Sequence, residues 1–299
     1  MEERIEFRPI ISADRDDLLA IAAQIWEGHD YLPQVFDRWV SDPRGYFAAM
    51  VLEGRLIGCG RLFLFDARRG WLEGLRIDPC HQGRKLGQRM ARHVVDYARR
   101  RGVEELSFAT YFRNHGSIHI SELAGFRRTA IFTNLELHDI TGALRWAASV
   151  DCAGLEESPV LPEIGDTMSN DWFFVPAGVP DRAGYFPAAR LIRQGRQALM
   201  AAPNTKVSDC LEICWVGAPA GDVGPACLAG AIQVAREGGF GQMHVMAPAK
   251  LSLARFLEAG FVYQEEPNDV YLYGARVSEL RMPEGNESPA GAGPPGDSA

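Results

Sequence analysis

The stretch IDPCHQGRKLG, residues 77–87, joins the end of a strand pattern to the start of a basic helix. At such a junction, unpartnered backbone N–H groups and the positive end of the helix dipole point at one place. Residues 76–101 carry eight basic side chains against two acidic ones, at positions 78 and 96. The stretch therefore favours a phosphate-bearing ligand, although a solvated helix face with an ordinary glycine N-cap would give the same pattern.

The residues around this stretch predict a mixed α/β sheet, because apolar alternation indicates strands and fourfold apolar spacing indicates helices. The first 140 positions contain, in order, a strand at 5–10, a helix from Ser12 or Asp14 to 25, a short helix at 34–40, strands at 46–52, 55–65 and 71–77, a helix at 83–101, a strand at 105–109, a helix at 114–123 and one or two strands in 126–137. This order describes a sheet with a helical crossover, of class α/β (α+β).

Two motifs carry a family resemblance over about residues 4–137. Gln82-Gly83-Arg84-Lys85-Leu86-Gly87 resembles the acetyl-CoA signature of the GNAT acetyltransferases, Gln/Arg-x-x-Gly-x-Gly/Ala, which follows their fourth strand. Lys85 stands where the family usually has its middle glycine. Asn114, separated by ten residues from Gly125-Phe126, is similar to the family pattern at the fifth strand and fourth helix.

The resemblance implies a V-shaped opening between the strands at 71–77 and 105–109, in which the pantetheine of acetyl-CoA lies. It further implies the cofactor-binding residues. Backbone groups of Leu75, Arg76 and Ile77 would hold the pantetheine and polarise the thioester carbonyl. The pyrophosphate would be bound by Gln82, Gly83, Arg84, Lys85, Leu86, Gly87 and Gln88, with help from Asn114. Acetyl-CoA is thus the expected co-substrate.

Amine acetylation requires a neutral amine, so a carboxylate near the amine, acting directly or through water, serves as base. Glu73 is the candidate, because it lies in the strand pattern at 71–77 and matches a position where many GNAT enzymes carry their base. Regular alternation would place it on one face with Trp71, Leu75 and Ile77. The alternative is a surface glutamate on a half-exposed strand.

The leaving thiolate often receives a proton, in this superfamily, from a tyrosine seven residues after the asparagine. That position is Ser121 here, and serine is a much poorer acid than tyrosine. Ser121 is therefore a catalytic candidate for which three alternatives stay open: a water relay, replacement by Tyr111 or another group, or departure of an unprotonated thiolate.

After the first helix comes the loop Gly28-His29-Asp30-Tyr31-Leu32-Pro33. In GNAT folds, the loop at this place forms one wall of the acceptor site. The loop of this chain resembles the histidine N-acetyltransferase-like branch, together with Trp39, Asp42, Pro43, Glu73–Arg76 and Pro79. The implied acceptor is the α-amine of a free amino acid such as histidine, with Asp30 and Tyr31 as substrate-binding candidates. A loop capped by Pro33 and packed by Tyr31 is the structural alternative.

The second half repeats the end of the first half in weakened form. Ala98–Gly102 and Leu123–Phe126 are echoed by Ala235–Gly239 and Glu258–Phe261, at an offset of 137 for the first glycine and 135 for the second. The helix at 225–236 lacks a preceding Gln/Arg-x-x-Gly-x-Gly element. We therefore predict a degenerate second GNAT-like α/β domain that helps shape or cover the acceptor pocket. Chance similarity of two βαβ-like units is the alternative.

Composition divides the 299-residue chain into four parts. We predict an acetyl-CoA-binding GNAT catalytic domain at 1–140, a linker at 141–168, the degenerate domain at 169–282 and a disordered tail at 283–299. The tail contains 8 Pro or Gly among 17 residues, so it cannot offset the entropy of ordering. Residues 1–140 balance 20 basic against 20 acidic side chains, so the net charge of -8 falls on the second half.

The same composition excludes several classes of protein. With 46% hydrophobic and 23% charged residues, the chain has an ordinary globular balance. It contains no apolar run near the ~18 residues of a membrane span and no signal-peptide core, so a cytoplasmic location without a membrane partner is expected. The negative charge argues against a nucleic-acid partner. Six cysteines without a Cys-x-x-Cys pair predict free thiols and no metal.

The sequence thus predicts an acetyl-CoA-dependent N-acetyltransferase, an acyltransferase that acts on the amine of a small molecule in a ternary complex, as a monomer or homodimer. Two alternatives remain open. The enzyme could acetylate a drug-like amine or a protein N-terminus. The protein could also be a non-catalytic acyl-CoA sensor. This alternative is supported by Ser121 and Lys85, which both depart from the family pattern.

Overall fold

The computed structural model describes residues 5–28, 30–159, 164–219 and 221–282. Its first half contains β1 (Ile5–Pro9), α1 (Arg15–Ala22), α2 (Leu32–Ser41), β2 (Gly45–Leu52), β3 (Arg55–Leu64), β4 (Arg69–Ile77), α3 (Leu86–Arg100), β5 (Glu105–Tyr111), α4 (His115–Ala124) and β6 (Arg127–Leu137). The rest contains α5 (Ile140–Ala147), β7 (Glu156–Ser158), β8 (Met168–Asn170), β9 (Phe173–Val175), β10 (Arg190–Gln194), β11 (Gln197–Pro203), β12 (Cys210–Gly217), α6 (Pro225–Glu237), β13 (Gln242–Pro248), α7 (Ala254–Glu258), β14 (Val262–Tyr263) and β15 (Val270–Arg276).

One mixed sheet runs through the molecule in the order β1-β2-β3-β4-β5-β15-β6-β13-β12-β11-β10-β7, with β14 paired to β6. Within the described ranges, β4–β5 and β12–β13 are its parallel pairs and the other neighbours are antiparallel. The order is symmetric about its centre, where the last strand of each half lies beside the other half's strands. The predicted mixed α/β sheet flanked by helices is confirmed.

Two layers of side chains cover the sheet. On one face, here called the α3 face, helices α3, α5, α6 and α7 pack against inward-pointing strand residues. On the opposite face, here called the α1 face, α1 and α2 cover β2 and β3, and the segment 164–189 covers the centre of the sheet. In strands such as β13, alternate residues enter the two layers, as a sheet buried on both faces requires.

The structure corrects one sequence expectation and adds detail to others. The helix predicted from Gly83 begins at Leu86, because Gly83 and Lys85 take left-handed φ angles of 77° and 57°. The predicted linker at 141–168 contains most of α5, which packs on α6, and the edge strand β7. The last strand of the second half, β15, lies between β5 and β6 of the first half. The predicted disordered tail, residues 283–299, lies outside the described residues.

Candidate active site

The strands β4 and β5 pair over only three residues. Arg69–Trp71 face Glu105–Ser107 in parallel register, and the two strands then separate while β4 continues along β3. The separation opens the sheet at the place that the family resemblance implied.

A bulge in β4 decides which side chains face each layer. Gly74 has a φ of 67°, and a Cβ added there would lie 2.7 Å from the Trp39 ring. Leu72, Leu75 and Ile77 all pack on the α3 face, which strict alternation would forbid for residues 72 and 75. The prediction that Glu73 shares a face with Leu75 and Ile77 is therefore wrong.

On the α1 face, Glu73 pairs with a buried arginine. The Arg61 side chain is 4% exposed, and its guanidinium contacts Glu73 and lies 2.5 Å from Oδ2 of Asp42. The Arg61 guanidinium also stacks over the Trp39 ring at 4.6 Å. Glu73, 9% exposed, is thus a carboxylate held in one orientation beside the opening.

Sequence reasoning missed Arg61, although a signal was present. Arg61 interrupts an apolar strand run, and a charge in a buried strand needs a partner. The partner is directly across the strand, because Arg61 and Glu73 are opposite residues in the β3–β4 register. Asp42, one of the residues that carry the family resemblance, completes the ion-pair group.

The acceptor-loop candidates Asp30 and Tyr31 have different surroundings. Asp30 is buried, and its oxygens lie 2.8 and 3.2 Å from the Arg76 guanidinium and accept a bond from the Leu32 N–H. Those contacts make Asp30 an anchor for the loop. The Tyr31 ring lies edge-on to Trp39 at 5.8 Å, and burial raises the pKa of its phenol, which therefore stays protonated.

The start of α3 brings the proposed cofactor-binding segments together. A Cβ added at Gly87 would lie 3.8 Å from Ile120 of α4 and 4.0 Å from Ile77 of β4. Space around Gly83 is open. The left-handed backbone of Lys85 explains why a glycine is usual at this position of the family motif, since an L side chain there costs about 1–2 kcal/mol.

The remaining cofactor candidates differ in what they can offer. Leu86 is buried in the core, so only its backbone can serve a ligand. Gln82 and Arg84 are exposed, and Gln88 is half-buried. Asn114 caps α4, where its Oδ1 accepts a bond from the Ser117 N–H at 3.2 Å, so its amide NH₂ is the group left for a ligand.

The two candidates for the general acid lie on α4 and at the end of β5. Ser121 is half-buried on α4, whose core contacts are on the α3 face. Tyr111 ends β5, and burial together with a hydrogen bond to Glu265 raises the pKa of its phenol. A raised pKa makes Tyr111 a weaker proton donor, and the role of Ser121 stays a prediction.

The described ranges also bear on other kinds of site. Among these residues, no three His, Cys, Asp or Glu side chains cluster in a way that could hold a metal ion. In the same ranges, no helix has the length and apolar character needed to cross a membrane.

Known proteins resemble part of the chain in sequence. Residues 14–126 match the model of the acetyltransferase (GNAT) family. The N-alpha-acetyltransferase RimI of Mycobacterium tuberculosis (strain ATCC 25618 / H37Rv) is 26% identical over 136 residues, which are 43% of this chain and 82% of that protein. A histidine N-acetyltransferase of Xenopus tropicalis is 26% identical over 99 residues, which are 32% of this chain and 31% of that protein.

A solved structure resembles nearly the whole chain in fold. A tandem GNAT protein from the clavulanic acid biosynthesis pathway superposes with a TM-score of 0.58 at 14% identity. The match covers 92% of this chain and 99% of that one. The two chains therefore share a fold over both halves.

Proposed function

We propose that this chain, whose residues 14–126 match the GNAT domain of N-acetyltransferases, transfers the acetyl group of acetyl-CoA to the primary amine of a small molecule. A free amino acid such as histidine is the proposed acceptor. The observation that carries the proposal is the opening between β4 and β5, which joins the start of α3 on one face of the sheet to Glu73 on the other.

The start of α3 and the edge of β4 are the proposed binding site for acetyl-CoA. Backbone N–H groups at the start of α3 suit a pyrophosphate, and the basic side chains of that helix favour an anion. The unpaired edge of β4 at Leu75–Ile77 offers backbone groups to the pantetheine and the thioester oxygen. Acetyl-CoA supplies an acetyl group already activated as a thioester.

On the α1 face, Glu73 removes the proton that an ammonium must lose before attack, directly or through one water. Arg61 and Asp42 hold its carboxylate in place. The proton then passes to solvent, and the leaving thiolate takes a proton from water through Ser121, the proposed donor, whose hydroxyl is reprotonated by that water. The base and the proposed donor thus lie on opposite sides of the opening.

The second half favours a small acceptor over a protein N-terminus. Its segment 164–189 packs over the α1 face, where Phe174 and Phe186 join Phe63 and Trp71 in one core. The Tyr185 hydroxyl also bonds to the Phe65 carbonyl at 3.1 Å. We therefore propose the domain bounds 1–140 and 169–282, with the second domain covering the acceptor side of the first.

Substitution of the base tests the proposal. We expect Glu73→Gln to lower kcat by about 10²- to 10⁴-fold, because the amide cannot accept the proton, while acetyl-CoA affinity stays within about threefold. Thiol release in the presence of free amino acids, polyamines and aminoglycosides measures turnover, and calorimetry measures affinity. Glu53→Gln, in the exposed turn between β2 and β3, is the control.

The outcomes separate the alternatives. Turnover that survives in Glu73→Gln would remove this residue from the chemistry. Wild-type protein that binds acetyl-CoA and acetylates no amine in the panel would instead support an acyl-CoA sensor.

A further inference from the structure

A loop of the second half reaches the acceptor side of the first half. Residues 204–207, between β11 and β12, are held by Asn204, whose Oδ1 accepts bonds from the N–H groups of Lys206 and Val207 at 2.8 and 2.9 Å. The Arg38 guanidinium of α2 donates to the Thr205 carbonyl at 3.1 Å. Asn204 thus holds the loop from within, and Arg38 holds it against the first half.

This loop places one ammonium group on the acceptor side. The Lys206 side chain is only 7% exposed, its Nζ lies 3.0 Å from Oδ2 of Asp171, and it sits 4.4 Å from the centre of the Tyr31 ring. Burial alone would favour the neutral amine, but the carboxylates of Asp171 and Glu73 together raise the pKa of Lys206. The group is therefore a cation at neutral pH.

A short chain of contacts connects Lys206 to the proposed base. The Tyr31 ring under Lys206 touches the Trp39 ring, and Trp39 packs against both Gly74 and the Arg61 guanidinium that holds Glu73. An ammonium carries three N–H donors, of which Asp171 takes one. The remaining N–H groups of Lys206 can serve a further acceptor group, and the charge of Glu73 is near enough to contribute to the raised pKa of Lys206.

We propose that Lys206 binds the carboxylate of the acceptor and thereby selects free α-amino acids. This rests on the proposed function. In an α-amino acid the amine and the carboxylate are separated by a single carbon atom, so recognition requires a base and a cation near each other. Glu73 from the first half and Lys206 from the second supply that combination, and the acceptor site is incomplete without the second half.

The test compares each free amino acid with its amide, which keeps the amine and loses the negative charge. For wild-type protein we expect kcat/KM to be at least tenfold higher for the acids. In Lys206→Met, KM for the acids should rise at least tenfold while KM for the amides stays within about threefold. Lys206→Arg should keep most of the preference, and Lys250→Met, at an exposed lysine of the same half, should change nothing.

A second variant guards against misfolding, because Lys206→Met leaves Asp171 buried without its partner. In the double variant Asp171→Asn/Lys206→Met, the acid preference should again be lost, with the circular dichroism spectrum and acetyl-CoA affinity of the wild type. Equal losses for acids and amides would show that Lys206 only tethers the two halves, and would overturn the inference. Wild-type protein that prefers amides or polyamines would overturn it too, while leaving the proposed acetyltransferase function intact.

Discussion

Gly74 is the residue on which the arrangement of the site depends. Its left-handed backbone lets β4 bulge, and the bulge turns Glu73 and Arg76 toward the α1 face while Leu75 and Ile77 stay on the α3 face. Trp39 fills the space that a Cβ would need. Both conformation and space therefore require glycine at this position.

Replacement of Gly74 tests this requirement. Gly74→Ala should lower the free energy of unfolding by about 2–4 kcal/mol, because a left-handed alanine costs about 1–2 kcal/mol and the overlap with Trp39 adds about as much again. Gly54→Ala is the matched control, since Gly54 also has a positive φ of 82° but open space around it. Urea unfolding measures both, and equal losses would show that Trp39 yields without cost.

His244 is a second residue whose state follows from its partners. Its Nδ1 lies 2.7 Å from Glu212, and its Nε2 contacts Oδ1 of Asn134, whose NH₂ is directed at Gln264. Both partners are acceptors, so both ring nitrogens carry protons. Burial opposes the charge, but Glu212 outweighs it, with Asp171 and Glu136 adding to the effect, and the pKa of His244 rises to about 9.

This shift predicts how stability depends on pH. The folded protein binds the proton more tightly than the unfolded chain, whose histidine has a pKa of about 6.5. The stabilisation from His244 is therefore complete below about pH 6.5 and is lost as the pH rises to about 9. Unfolding by urea at pH 6, 7.5 and 9 should show a steeper decline for wild-type protein than for His244→Gln. Parallel curves would contradict the charged state.

Among the secondary-structure elements, α3 and α6 hold equivalent places and differ at their N-termini. Around Gly83, before α3, the space is open. Before α6, the chain is closed by a bridge between Asp222 and Ser252, and the Gln197 side chain occupies the space beside Gly224. The space before the first helix is open, whereas the space before the second is occupied by protein atoms.

A charge placed at each end of α3 tests the phosphate site. Gly83→Asp should weaken acetyl-CoA binding at least tenfold, because a carboxylate repels the pyrophosphate. Gly102→Asp, just after the C-terminus of α3, is the control, since Gly102 has nearly the same φ, 76° against 77°, and equally open space. Calorimetric titration with acetyl-CoA measures both variants, and similar affinities would place the pyrophosphate elsewhere.

At the scale of the whole molecule, the two halves exchange their last strands. β15 pairs along its length with β5 and completes the first half's sheet, while β6 pairs with β13 of the second half. The Tyr273 hydroxyl of β15 also bonds to Glu122 of α4 at 2.8 Å. Neither half has a complete sheet without the other.

The exchange predicts that the first half cannot work alone. A fragment of residues 1–140 should aggregate or stay unfolded, because β5 and β6 would lose the strand between them and expose their edges. A chain ending at residue 282 keeps all described strands and should bind acetyl-CoA like the full protein. Gel filtration, circular dichroism and calorimetry compare the two. A monomeric, acetyl-CoA-binding fragment would contradict the interdependence.

Local patterns in the sequence were sufficient to predict the elements of the first half. Alternation and fourfold spacing predicted β1–β6 and α1–α4 in their observed order, and α4 ends at Gly125 with a left-handed φ of 103°. The repeated glycines also agree in structure, since Gly102 and Gly239 have φ angles of 76° and 72°. Such features depend on neighbours within a few residues, which a sequence displays directly.

The sequence by itself determined the elements of the first half, their order, the glycine-rich start of α3 and, through the family resemblance, Glu73 as the proposed base. Tertiary structure alone decided the bulge at Gly74, the Arg61 partner of Glu73, the burial of Asp30, the exchange of β6 and β15, and the position of Lys206 against Tyr31. The physical reason is separation along the chain. These features depend on which distant segments become neighbours, and that is decided by packing of the whole core, which local periodicity does not encode.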